Sequence, residues 1–159
     1  MDVFGFVALV VTGFTACAEF GSYAFVHPVL RHLPREYHLQ VEQGLLRTFG
    51  RVMPTLMTLC AGLSVSYAVH MRHHASPTRW VFWAAAVSFV AALVSTIIFN
   101  VPINAATGRL DAATPPPDWK KTRSRWEFFQ GVRSWLLLLG FVLLCLAVTM
   151  RWRHAIQVA

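Results

Sequence analysis

The stretch Asn100-Val101-Pro102-Ile103-Asn104 closes a long apolar run that begins near Trp80. Pro102 carries no backbone N–H, and its ring clashes with the carbonyl four residues back. Val101 is pushed toward extended geometry by the proline that follows it. A helix arriving from Trp80 should therefore loosen or stop here, with two amides beside the freed backbone groups. After a polar loop, Trp126, Gln130 and Arg133 recur at i, i+4 and i+7, which is one face of a helix. Arg133 already lies inside apolar sequence. Two consecutive spans thus bring polar groups to the same membrane face.

Working outward, the composition sets the class. The chain has 159 residues, 56% hydrophobic and only 13% charged, with a mean hydropathy of +0.51. That is membrane-protein composition. Four runs, Val3–Val26, Val52–Val69, Trp80–Val101 and Phe128–Met150, approach the roughly 20 apolar residues that a helix needs to cross a hydrocarbon core. None shows the alternation of a membrane barrel strand. The expected fold is an all-α membrane protein. It is a four-transmembrane-helix antiparallel bundle, with longer loops 1–2 and 3–4 on one face. Residues 1–159 are expected to form one domain, with spans at about 3–27, 45–70, 79–101 and 119–150.

A net charge of +7 would suggest nucleic acid in a soluble protein; here it is read as membrane orientation, with no nucleic-acid partner. Loops 1–2 and 3–4 with their flanks hold nine Lys and Arg, against four on the opposite side. This places those loops in the cytoplasm and both termini outside. Cys17, Cys60 and Cys145 sit in three different apolar runs, so no disulfide framework is expected. Ala16-Cys17-Ala18 has a cleavage-site pattern, but the apolar run continues past it without a basic start, which reads as a retained span.

Span 1 carries Thr12, Thr15, Glu19, Tyr23 and His27 at steps of three and four, a single stripe, and Pro28 is expected to end its helix. Glu19 lies about 12 Å inward from His27 along a helix. An ionisable group at that depth normally faces a bundle interior, either as a functional group or paired with an arginine on a neighbouring helix. Arg35–Phe49 is amphipathic and either lies on the membrane or continues into span 2. His32 and His38 are expected to be solvated or interfacial, without a role. Span 2 contributes Arg51, and Met53 and Met57 as core or cavity wall. His70, His73 and His74 in the next joint invite a metal reading, but an interfacial turn is favoured. Span 3 carries Ala84, Ser88, Ala92 and Thr96, a ridge suited to close helix packing. Helix 4 is expected to run from Trp119 to about Met150.

Because spans alternate in direction, one face gathers Glu19, Tyr23, His27, Arg51, Asn100, Asn104, Trp126, Gln130 and Arg133. A Glu19–Arg133 pair across the bundle is geometrically reasonable, and a cavity with an apolar floor is expected beneath this rim. The Asn100-Val101-Pro102-Ile103-Asn104 motif and the Trp126…Arg133 spacing, together with Gly21 to Pro28 and the four-span layout, resemble the small integral-membrane family of the anthrone oxygenases. One departure is that Gln130 or Gly131 stands where members often carry asparagine or histidine.

The resemblance implies oxidation of an activated CH2 of a polycyclic phenolic ketone by O2, through a deprotonated substrate and without a cofactor. Glu19 or His27 would be the base, with Arg133 completing the catalytic set. Arg51, Arg133, Asn100 and Asn104 would stabilise the anion. Trp126, Tyr23 and Phe128 or Phe129 would stack on a flat substrate, and Gln130 would contact it. The partners implied are a small aromatic or lipophilic substrate, the lipid bilayer and a second copy of the chain. Two other readings compete. One is a haem- or metal-binding bundle with His27 as the ligand. The other is a non-enzymatic accessory or scaffold subunit in which Glu19–Arg133 is a structural ion pair. A transporter is disfavoured, since the spans show no internal repeat.

Overall fold

The computed structural model describes residues 3–73 and 76–158, with Ser76 and residues 153–158 in backbone alone. It is all-helical among the described residues. Four helices are long and apolar enough to cross a membrane. They are α1 (Val3–Leu30), α2 (Arg35–His70), α3 (Pro77–Thr107) and α4, whose spanning part is Trp119–Trp152. Each packs on its neighbour in sequence, α3 on α4 most extensively, and α4 returns against α1 to close the bundle. Four-helix membrane bundle is therefore the correct architecture.

The prolines act differently from expectation. Pro28 does not end α1, and Pro102 does not end α3. Each follows a π-helical turn, Ser22–Val26 in α1 and Thr96–Asn100 in α3. There the N–H of His27 donates to Ser22 O and that of Val101 to Thr96 O, each five residues back. The widened turn makes room for the proline ring, and the helix resumes as His27–Leu30 and Val101–Thr107. Pro54 sits inside α2 without such a turn. The amphipathic segment from Arg35 does not lie apart on the membrane; it is the first part of one helix reaching His70.

The end of the bundle away from loops 1–2 and 3–4 is packed from apolar groups. Ala8, Tyr67, Phe82, Ala85, Leu144 and Ala147 form one buried cluster. Below the middle, Ala16, Met57, Cys60, Phe89, Ala92 and Leu137 form another. Small residues let the helices approach: Gly140 lies under the ring of Phe89, where an added Cβ would come within 2.9 Å of it. Two hydroxyls in this region are satisfied along their own helices, Thr12 on Ala8 O at 2.7 Å and Ser64 on Cys60 O at 2.7 Å. They carry no surplus polarity into the core.

The loop-side end is tied together by polar side chains. Gln43 on α2 donates to Thr107 O at 3.1 Å and Leu110 O at 2.8 Å, capping the end of α3. Lys120 at the start of α4 donates to Arg31 O and Leu33 O, both at 2.9 Å, holding the turn between α1 and α2.

Candidate active site

Between these ties and the apolar floor lies a cavity of about 700 Å³. Its wall includes Glu19, His27, Glu42, Asn104, Trp126, Gln130 and Arg133, with Leu45, Leu46, Phe49, Met53 and Met57 supplying apolar surface. That volume is in the range of small-molecule sites.

Glu19, on the cavity wall, is 0% exposed. Arg133 Nη2 donates to Glu19 Oε2 at 2.8 Å, and Gln130 Nε2 donates to the same oxygen at 2.8 Å. Arg133 also donates to Gln130 Oε1. Ser134 Oγ donates to the backbone carbonyl of Glu19 at 3.2 Å, locking α4 to α1. The spacing of 130, 133 and 134 on one helical face is what brings all three to Glu19. A buried carboxylate is tolerable only when paired and hydrogen-bonded in this way. Glu19 Oε1 and Arg133 Nε nonetheless have no partner.

A second buried cluster stands nearer the loops. Glu42 on α2 is in ion-pair contact with Arg123 through Oε2. His27 Nδ1 approaches Glu42 Oε1 at 3.3 Å and His38 Nε2 approaches it at 3.4 Å, both off ideal hydrogen-bond geometry. Lys120 Nζ lies 3.2 Å from His38 Nδ1. His38 is thus a buried member of a charge cluster, not the solvated histidine expected. Arg123 is 2% exposed, so it is no solvated loop charge either. Glu127 pairs with Arg31 beside it.

Trp126 separates the two clusters. The Arg123 guanidinium lies 3.5 Å from its ring centroid, and the His27 ring meets it edge-on at 5.0 Å. Asn100 Nδ2 donates to the Trp126 carbonyl at 3.2 Å, joining α3 to α4.

Of the nine residues expected at the rim, Glu19, His27, Asn104, Trp126, Gln130 and Arg133 line the cavity. Asn100 is buried behind it and braces Trp126. Tyr23 packs outside, its ring against Gly131, where a Cβ would come within 2.9 Å. Both displaced residues belong to the widened turns, which break the four-residue stripe on which they were placed. Arg51 is exposed on α2 and is not part of the lining. Phe128 is 67% exposed and Phe129 stacks on Phe99 at 3.9 Å, so neither ring faces the cavity. Glu42, Arg123, His38 and Lys120 were missed. The signal available was Glu42 four residues after His38, which places them together on one face of a helix.

Among the described residues, no three His, Cys, Asp or Glu side chains are grouped to hold a metal ion. His74 of the histidine-bearing joint lies outside the described residues, and His73 accepts from Arg72 Nε at 2.9 Å.

Fold and site together define a multi-pass helical membrane protein with a polar-walled internal cavity. A family model described as anthrone oxygenase matches residues 45–143, more than half of the chain. The chain belongs to the anthrone oxygenase family, and that membership points to an oxygenase-type function. The match takes in Asn100, Asn104, Trp126, Gln130 and Arg133; Glu19 and His27 lie before it. No curated protein and no solved structure matches the chain.

Proposed function

We propose that the protein is a membrane-embedded oxygenase that converts an activated CH2 of a polycyclic phenolic ketone to a carbonyl. The observation that carries this reading is the cavity itself. It has aliphatic and methionine walls along one side and, on the other, residues holding polar atoms without partners: Glu19 Oε1, Arg133 Nε, Asn104 Oδ1 and Trp126 Nε1. A flat phenol brings hydroxyl donors and a carbonyl acceptor to such a set. Pro54 adds to it: lacking an N–H, it leaves the carbonyl of Gly50, also on the wall, without its helical donor.

In the reaction we propose, His27 takes a proton from the CH2, and the negative charge spreads over the conjugated phenolic ring system. Arg133 and Gln130 stabilise that anion, while Glu19 accepts from a phenolic hydroxyl. The anion passes one electron to O2, and the carbon radical and superoxide combine to form a C–O bond. The resulting peroxide takes the proton back from His27. Loss of water with the second C–H proton leaves the carbonyl. CH2 plus O2 thus gives C=O plus H2O, the substrate supplying the electrons, so no cofactor is required. The nine-to-four excess of Lys and Arg supports a cytoplasmic mouth for the cavity.

The test is O2 uptake by the purified protein in detergent with anthrones of graded size. We expect uptake of one O2 per anthrone, abolished in His27→Gln and reduced at least 100-fold in Arg133→Met. Absence of uptake with every anthrone would remove the reading. An accessory-subunit role would then be favoured if Glu19→Met/Arg133→Met kept both fold and cellular function. A Soret band or stoichiometric metal in the active sample would instead favour the cofactor-binding alternative at His27.

A further inference from the structure

The proposed reaction needs an imidazole whose lone pair faces the substrate, and the second cluster supplies the means. We infer that Glu42 is a positioning residue that fixes the tautomer and rotation of His27, with Arg123, His38 and Lys120 holding Glu42 in place. This rests on the oxygenase reading above.

The Lys120 ammonium can only donate, so His38 Nδ1, 3.2 Å away, accepts. The proton of neutral His38 therefore sits on Nε2, which faces Glu42 Oε1 at 3.4 Å. The guanidinium of Arg123 holds the other oxygen of Glu42. A carboxylate with these donors is an acceptor toward the remaining neighbour, His27 Nδ1 at 3.3 Å. His27 then carries its proton on Nδ1, and Nε2 is left with the lone pair on a residue that lines the cavity. The edge-on contact with Trp126 at 5.0 Å restrains ring rotation. A carboxylate that orients an imidazole in this way acts through that ring.

Glu19 cannot take this part as readily. Its carboxylate is already held by Arg133 and Gln130 on one oxygen. The two carboxylates therefore divide the work: one binds beside the substrate, the other aims the base.

Two measurements on the full chain in detergent test this. Nitrogen-15 NMR of labelled histidines, with His27 assigned by its absence in His27→Gln, reads the tautomer directly. A proton on Nδ1 in the unaltered protein is expected; a proton on Nε2 overturns the inference whether or not oxygenase activity exists. For kinetics, Glu42→Gln is expected to lower kcat about 100-fold or more with KM changed less than threefold. Glu42→Asp, which keeps the charge, should recover at least a tenth of the lost rate. Unchanged kcat in folded Glu42→Gln, or a loss confined to KM, overturns the inference. If Glu42→Gln fails to fold, the tautomer read in the unaltered protein decides alone, a proton on Nε2 overturning the inference. Should no anthrone be oxidised by the unaltered protein while His27 holds its proton on Nδ1, the oxygenase reading falls and the positioning geometry stands.

Discussion

Glu19 and Glu42 are both buried carboxylates, and they are neutralised in opposite styles. Glu19 is held by two side chains of a single helix, Arg133 and Gln130 on α4. Glu42 gathers partners from three: His27 from α1, His38 from its own α2 and Arg123 from α4. The first arrangement is compact and separable. The second is a junction, and its members depend on one another. Burial alone does not distinguish a pair from a network; the number of elements converging on the charge does.

The largest effect should come from breaking either cluster by one residue. Arg133→Met or Arg123→Met leaves a buried carboxylate without its cation, and each is expected to destabilise by about 3–5 kcal/mol. Unfolding curves in matched detergent would measure it. Double replacement then separates the clusters. Glu19→Met/Arg133→Met should recover most of that loss, since a matched apolar pair avoids desolvating charge, and only the two hydrogen bonds of Gln130 stay unmade. Glu42→Met/Arg123→Met should stay destabilised by about 1–3 kcal/mol, because His27 and His38 lose their acceptor. Equal recovery in both doubles would erase the distinction between pair and junction.

A smaller effect is expected from Lys120→Met. It removes donors to Arg31 O, Leu33 O and His38 Nδ1 and should destabilise by about 1–2 kcal/mol. Hydrogen exchange should quicken in the α1–α2 turn and leave the amides around Glu19 unchanged. The smallest effect lies outside both clusters, in the α3–α4 loop. Asp111 accepts from the Ala113 N–H at 3.0 Å and the Thr114 hydroxyl at 2.9 Å, and these hold its carboxyl below the usual carboxylate range. A lowered native value means the stabilisation is present above the ordinary aspartate range and is lost as pH falls through the native value. Ala113 amide exchange should therefore quicken only at acid pH, with no change at either buried carboxylate.

The two clusters also differed in how far they could be read from sequence. Glu19 and Arg133 stand in apolar surroundings, where any charge is conspicuous. Glu42 and Arg123 stand in stretches rich in charge, Arg35 to Arg51 and Lys120 to Glu127, which look like solvated surface. Nothing local marks the one charge among several that turns inward. The four-span bundle was legible because length and hydropathy fix it, and the family motif agreed. The continuous α2 was not, since a polar first half is compatible with a separate surface helix. Tyr23 and Asn100 were misplaced because periodicity assumes a uniform helix.

The two widened turns constrain how the chain can vary. Positions 19 and 27, and likewise 96 and 104, all lie on the cavity wall. Eight residues of regular helix would leave such positions about 80° apart in azimuth, whereas absorbing one surplus residue brings them to within about 20°. Each extra residue is thus an angular correction stored in chain length. Related sequences should vary freely at the exposed positions of Phe25, Val26, Ile97 and Ile98 while keeping the length of 22–26 and 96–100 fixed, since losing a single position would swing His27 or Asn104 off the wall.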